Sequence, residues 1–145
     1  MASVTQVRFA DGSPKTGSSA VIRTTWRSPS TRTMAASAIV GWLAIPTGPT
    51  SACWNIGVTI LPEFRGKGYG TAAQRLLAEY LFATTTVNRV EAGTDVDNVA
   101  EQRALEKARF IREGVRRGSQ FRNGQWRDMA MYGRLRDDHA PATAH

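Results

Sequence analysis

The hexapeptide Arg65-Gly66-Lys67-Gly68-Tyr69-Gly70 is the stretch of this sequence best suited to hold an anion. It lies between a strand-like run and an amphipathic one, so its backbone amides point outward at the positive end of a helix dipole. Such a concave run of N–H groups binds phosphate oxygens. Glycine serves there because the chain must turn tightly and because a Cβ would hold a phosphate away from the amides. Arg65 and Lys67 add positive charge. Spacing separates the competing phosphate motifs. A P-loop needs Gly-Lys followed by Ser or Thr, whereas Gly68 follows Lys67. A dinucleotide fingerprint needs G-x-G-x-x-G, whereas only one residue separates Gly66 from Gly68 and Gly68 from Gly70. A plain turn with helix-start glycines is the structural alternative.

Acid–base chemistry has fewer candidates. On a strand, Glu91, Gly93 and Asp95 share one face, which makes Glu91 a candidate proton acceptor; a structural carboxylate is the competing reading. Asn98 and Glu101 have the N-x-x-E spacing of a helix N-cap with an acidic partner. Cys53 is the only cysteine, which excludes an internal disulfide and a multi-cysteine zinc site. His139 and His145 both lie in the C-terminal tail, so neither a Ser-His-Asp triad nor a histidine metal cluster is expected, and no metal ligand is assigned.

These residues need elements to position them. Ala35 to Ile45 and Ala52 to Leu61 read as two strands around a turn at Pro46 to Thr50, forming an antiparallel hairpin. Ala73, Leu76, Leu77, Tyr80 and Leu81 repeat at helical spacing and predict a helix over Tyr69 to Phe82. Asn88 to Asp95 is a short strand, and Asn98 opens a second helix whose buried stripe is Ala104, Leu105 and Ala108. Ile111 to Phe121 and Gln125 to Leu135 flank Asn123-Gly124, the strongest short-range hairpin signal. Residues 1–33 carry turn signals at Asp11-Gly12, Pro14, Gly17 and Pro29 and two strand-like runs, Val4 to Phe9 and Ala20 to Trp26, with no helical period. The expected organisation is one domain over residues 1–136 with an atypical segment 1–33, followed by a disordered tail over 137–145.

The loop Arg65-x-x-Gly68-x-Gly70 resembles the coenzyme A pyrophosphate loop of the GCN5-related N-acetyltransferases (GNAT). Asn88-Arg-Val-Glu-Ala, Asp97-Asn98-Val-Ala-Glu-Gln-Arg-Ala-Leu105-Glu-Lys107 with Phe110, and Gly124-Gln-Trp126-Arg-Asp128 are similar to the ribosomal-protein-alanine acetyltransferase (RimJ/RimL-like) branch. The resemblance covers about residues 40–136 and implies an α/β (α+β) fold. Its mixed, largely antiparallel sheet is split around the cofactor, with two main helices, a C-terminal β-hairpin and N-terminal helices reduced or missing. It implies acetyl-CoA as cosubstrate and an amine acceptor, either a protein N-terminus or a small molecule. By the same resemblance Val58, Thr59 and Ile60 contact the pantetheine arm through their backbone. Arg65, Gly66, Lys67, Gly68, Tyr69, Gly70 and Thr71 cradle the pyrophosphate, and Asn98 hydrogen-bonds the arm.

The sequence departs from that pattern in several places. Asn55 stands where many relatives carry an acid, Leu105 where other branches carry a tyrosine, and Glu101 where this branch carries a hydroxyl residue. Arg109 occupies the position of a glycine just past the helix end, a place that calls for a left-handed backbone. Residues 1–33 replace the strand and two helices that build one wall of the acceptor site. That implies an open site for a large acceptor, a wall supplied by a second subunit of a homodimer, or an inactive binding module.

The 145 residues carry a net charge of +7, which suits anionic partners, but no nucleic-acid motif accompanies the arginines, so nucleic acid is not expected. The longest apolar run, Met34 to Ile45, stops well short of the ~20 residues that span a bilayer, and no membrane role is expected. The N-terminus lacks the pattern of a secretory signal, which makes the cytoplasm the expected compartment.

Overall fold

A computed structural model of the chain describes the backbone of residues 3–9, 17–28 and 31–139 and the side chains of residues 38–138. The turn signals at Asp11-Gly12, Pro14 and Pro29, and residues 140–145 of the predicted tail, lie outside the described residues. The strands are β1 (Ser3–Phe9), β2 (Gly17–Ser28), β3 (Thr31–Gly48), β4 (Ser51–Ile60), β5 (Arg89–Asp95), β6 (Ile111–Arg122) and β7 (Gln125–Leu135). Helix α1 (Tyr69–Thr84) links β4 to β5, and α2 (Val99–Lys107) links β5 to β6. Within the segment read as lacking helical period, the described residues 3–9, 17–28 and 31–33 are strand, and β3 extends the predicted run at both ends.

All seven strands form one sheet in the order β1-β2-β3-β4-β5-β7-β6. Every neighbouring pair is antiparallel except β4 and β5. That parallel pair is joined at Trp54↔Val90 and Asn55↔Glu91 alone, although β4 runs on to Ile60 and β5 to Asp95. Past those positions the two strands part, so the sheet is split between an N-terminal and a C-terminal half.

The helices close one face of the sheet. Alternation along β4 buries Trp54 and Ile56, and alternation along β5 buries Val90 and Ala92. Leu77 and Leu81 of α1 and Leu105 of α2 complete this core, each at most 1% exposed. The two opposite-facing residues Ile39 and Leu43 of β3 are exposed.

Local chemistry sets the element ends. The Asn123-Gly124 turn has positive φ at both residues, 51° and 76°, which matches the right-handed twist of the hairpin it joins. Arg109 adopts φ 69°, and its flanking bonds, Phe110 N–H to Leu105 O and Arg109 N–H to Glu106 O, both 3.0 Å, form a Schellman closure of α2. A 3₁₀ turn over Arg136–His139 takes in the first three residues of the predicted tail, and Leu135 N–H donates to Asp138 Oδ2 at 2.7 Å.

Candidate functional site

The parting of β4 and β5 opens a cleft of about 200 Å³ lined by Ile56, Gly57 and Val58 on one side and Ala92, Gly93 and Thr94 on the other. Gln74 of α1 and Asn98 and Glu101 of α2 complete the lining. Along this gap neither strand is paired with the other, so each presents backbone polar groups to whatever occupies it. Of the predicted arm-contacting residues, Val58 lines the cleft, while Thr59 and Ile60 continue the same strand edge beyond it. Sequence reasoning missed Ile56, Gly57 and the β5 trio, because which strand edge goes unpaired is a tertiary property, and it missed Gln74 and Glu101, because which helix residues face that gap is one too.

The glycine loop sits where β4 ends. Arg65 Nε donates to Ile60 O at 3.2 Å, tying the loop to the strand. The loop is braced by its aromatics: Phe64 and Tyr69 meet edge to face at 6.0 Å, and Lys67 Nζ stands 5.8 Å from the Phe64 ring. Gly66 and Gly68 have φ +73° and +80°, and a Cβ on either would meet nothing within 4 Å. Their requirement is conformational. Gly70 differs, because it lies inside α1 with ordinary φ, and its Cβ would make a normal 3.7 Å contact with Ile60 Cγ1.

Gly68 is the N-cap of α1 and makes no side-chain cap bond. The first amide returned to the loop is that of Ala72, which donates to Gly68 O at 3.1 Å. The amides of Tyr69, Gly70 and Thr71 thus precede the helical ladder and face outward at the positive helix end.

Asn98 holds both places that its sequence context suggested. Its Oδ1 accepts from Glu101 N–H at 3.2 Å as the N-cap of α2, and the residue also lines the cleft. The expected reciprocal bond is replaced: Asn98 N–H goes to Asp95 O, and the Glu101 carboxylate accepts from Gln74 Nε2. Burial pushes the Glu101 carboxyl above its ordinary pKa, opposed in part by that hydrogen bond.

Glu91 lies at the foot of the cleft, on the last residue pair before the strands part, and is not among the lining residues. Its carboxylate accepts from Arg89 Nη2 at 3.2 Å and stands 3.5 Å from Asn55 Nδ2. Arg89 also bonds Glu113 Oε1 at 2.7 Å, so one guanidinium bridges two carboxylates. The Glu113 bond is the main reason that Arg89 holds its proton more tightly than usual. Cys53 is buried beside this network, and burial, followed by the Glu91 charge, pushes its thiol up. Asp95, on the same strand face, is bound instead by Arg127 Nε at 2.8 Å.

Comparison with known proteins places this geometry. The model of the acetyltransferase (GNAT) domain matches residues 4–111. The Bacillus subtilis protein named "Probable N-acetyltransferase YjcK" is 37% identical over 83 residues, which cover 57% of this chain and 46% of that protein. The chain therefore spans about half the length of the curated relatives it matches. Among solved structures, the ribosomal-protein-S5-alanine acetyltransferase of Vibrio fischeri superposes with a TM-score of 0.69 at 20% identity, covering 87% of this chain and 65% of that one. The spermidine N-acetyltransferase of Vibrio cholerae in complex with CoA and spermine gives 0.69 at 17% identity, covering 85% and 68%. Those two likenesses speak for the fold, a split sheet with both helices on one face. The family match spans the split, the glycine loop and both helices, and this chain belongs to the GNAT acetyltransferase family.

Proposed function

We propose that the chain binds acetyl-CoA and transfers the acetyl group directly to a primary amine. The observation that carries this reading is the continuity between two features: outward amides at the start of α1 lie at the open end of the gap between β4 and β5. A ligand with a phosphorylated end and an extended, amide-bearing arm fits that combination, since the amides take phosphate oxygens and the arm fills the place of a missing strand.

In this reading Arg65 to Thr71 hold the pyrophosphate, the backbone of Ile56 to Ile60 pairs with the arm, and Asn98 flanks it. Backbone N–H groups at the root of the gap stabilise the negative charge that builds on the thioester oxygen. The neutral amine nitrogen bonds to the carbonyl carbon as the carbon–sulfur bond breaks, coenzyme A leaves as the thiolate with that electron pair, and the nitrogen sheds one proton. Glu91 is the proposed acceptor of that proton, through water, from its place at the foot of the cleft. The acceptor is a protein N-terminus or a small amine; the Vibrio fischeri neighbour is named for an alanine of a ribosomal protein and the Vibrio cholerae neighbour for spermidine. The cytoplasm is the proposed compartment; among the described residues no helix is long and apolar enough to cross a membrane.

One observation favours a second reading, a coenzyme A-binding module without turnover. Glu91 is already engaged by Arg89 and is not among the residues that line the cleft. The test is to follow free thiol while acetyl-CoA meets a library of amines, and to measure melting with acetyl-CoA or NADH. We expect thiol release with at least one amine, and stabilisation of about 2.7 kcal/mol by acetyl-CoA at a hundredfold excess over Kd. Glu91→Gln should slow turnover about a hundredfold near neutral pH, with the deficit shrinking as pH rises and the amine deprotonates itself. Stabilisation without thiol release from any amine assigns the module; stabilisation by NADH alone removes the coenzyme A reading.

A further inference from the structure

The helix-side wall of the cleft holds two polar side chains that the reading above leaves without a task. Gln74, on α1, is 1% exposed and sits in a stripe otherwise made of Ala73, Leu77, Ala78 and Leu81. Glu101, on α2, lines the same cleft. Gln74 Nε2 donates to Glu101 Oε1, while Gln74 Oε1 is buried with no hydrogen-bond partner among the described residues.

These facts are linked. A carboxylate only accepts, so the amide must turn its NH2 toward Glu101, and its carbonyl is thereby committed to the other side. Reversing the amide would set two oxygens against each other and is no remedy. Buried acceptors are almost always paired, because leaving one dry forfeits its hydration. An apolar residue at position 74 would have extended the stripe without that cost. In the wall of a ligand cleft, a fixed and unpaired acceptor specifies a donor on the ligand.

We propose that Gln74 Oε1 is a ligand-binding group of the cleft that accepts from an amide N–H of the pantetheine arm, and that Glu101 is the positioning residue that keeps this oxygen committed to it. The assignment rests on the coenzyme A reading. Partial burial of Glu101 shields its bond to Gln74 from water and makes that bond a directional constraint.

Calorimetry on the whole chain tests this with two probes, coenzyme A and adenosine 3′,5′-bisphosphate, which lacks the arm. Gln74→Leu should weaken coenzyme A binding about tenfold and leave the bisphosphate unchanged, the scale of one lost hydrogen bond. Glu101→Leu should weaken coenzyme A selectively as well. Glu101→Gln should recover part of that loss, since its carbonyl still accepts from Gln74 Nε2. Equal losses for both probes would assign Gln74 to the fold, and unchanged coenzyme A affinity in Gln74→Leu would remove it from the site; either overturns the proposal. If the wild-type chain binds neither probe, the coenzyme A reading itself fails and this assignment falls with it.

Discussion

At the residue scale, the backbone at Arg109 illustrates how a local rule can be broken and still obeyed. The Schellman closure of α2 demands positive φ, and the chain supplies φ 69° with a residue that has a Cβ. Leu105 and Phe110, which bracket the closure, are both buried, so the surrounding core over-determines the turn. Arg109→Gly should raise stability by up to about 1 kcal/mol, read as a higher denaturation midpoint; a lower midpoint would mean the arginine side chain contributes more than the strain removes. A second residue-scale prediction concerns acid. The Arg127 guanidinium, followed by the Asp97 amide, holds the Asp95 carboxyl below the usual carboxylate range. A carboxylate lowered in the fold contributes stability above its unfolded pKa of about 3.9, and that contribution is lost as pH falls through the folded value. Asp95→Asn should therefore melt below the wild-type chain near neutral pH, with the gap closing below about pH 4. A gap that persists in acid would assign the aspartate's effect to packing rather than charge.

At the scale of elements, the last strand finishes both helices. Arg134 of β7 is fully buried and donates from Nη1 to Ala108 O at 2.9 Å, at the C-cap of α2. Arg136, just beyond β7, donates to Phe82 O and Thr85 O at 2.6 Å and to Val87 O at 2.7 Å, closing the end of α1. Helix C-termini leave carbonyls unpaired and carry partial negative charge, so a cation that bonds them answers both needs. Arg136→Met should cost about 2–4 kcal/mol in chemical denaturation, because several part-buried carbonyls lose a charged donor together. A loss under about 0.5 kcal/mol would show that water replaces the guanidinium freely. The partner strand β6 is exposed along its length, and register shifts at Gly114 and Gly118 break the regular edge that it would otherwise offer to another chain.

For the molecule as a whole, the decisive feature is a sheet held together at its middle by two residue pairs. Each half satisfies itself by antiparallel pairing, and the shared core beneath, including Leu77, Val90 and Leu105, keeps the halves from separating. The gap costs unpaired backbone groups, and those groups are what an extended ligand can use. Hydrogen exchange should show this directly. The amides of Gly57 to Ile60 that are not bonded to β3 should exchange faster than those at Trp54 and Asn55, and coenzyme A should slow them selectively. Equal protection along β4 before ligand is added would mean that the strands do not part in solution.

What the sequence determined by itself was local: the glycine loop before a helix, the N-cap at Asn98, the left-handed turn at Arg109 and the hairpin at Asn123-Gly124. These follow from steric limits and hydrogen bonds within a few residues, which neighbours in the chain fully specify. The expectations of a split, largely antiparallel sheet and of strand-forming runs before residue 33 also matched the structure, the first through the family resemblance and the second through strand-like runs between turn signals with no helical period. Only the tertiary structure decided where β4 and β5 part, that Gln74 faces Glu101 and that Arg89 engages Glu113. Partners 24 and 27 positions apart meet only after helices cross the sheet, and no periodicity encodes which polar side chain a given helix turn brings opposite another.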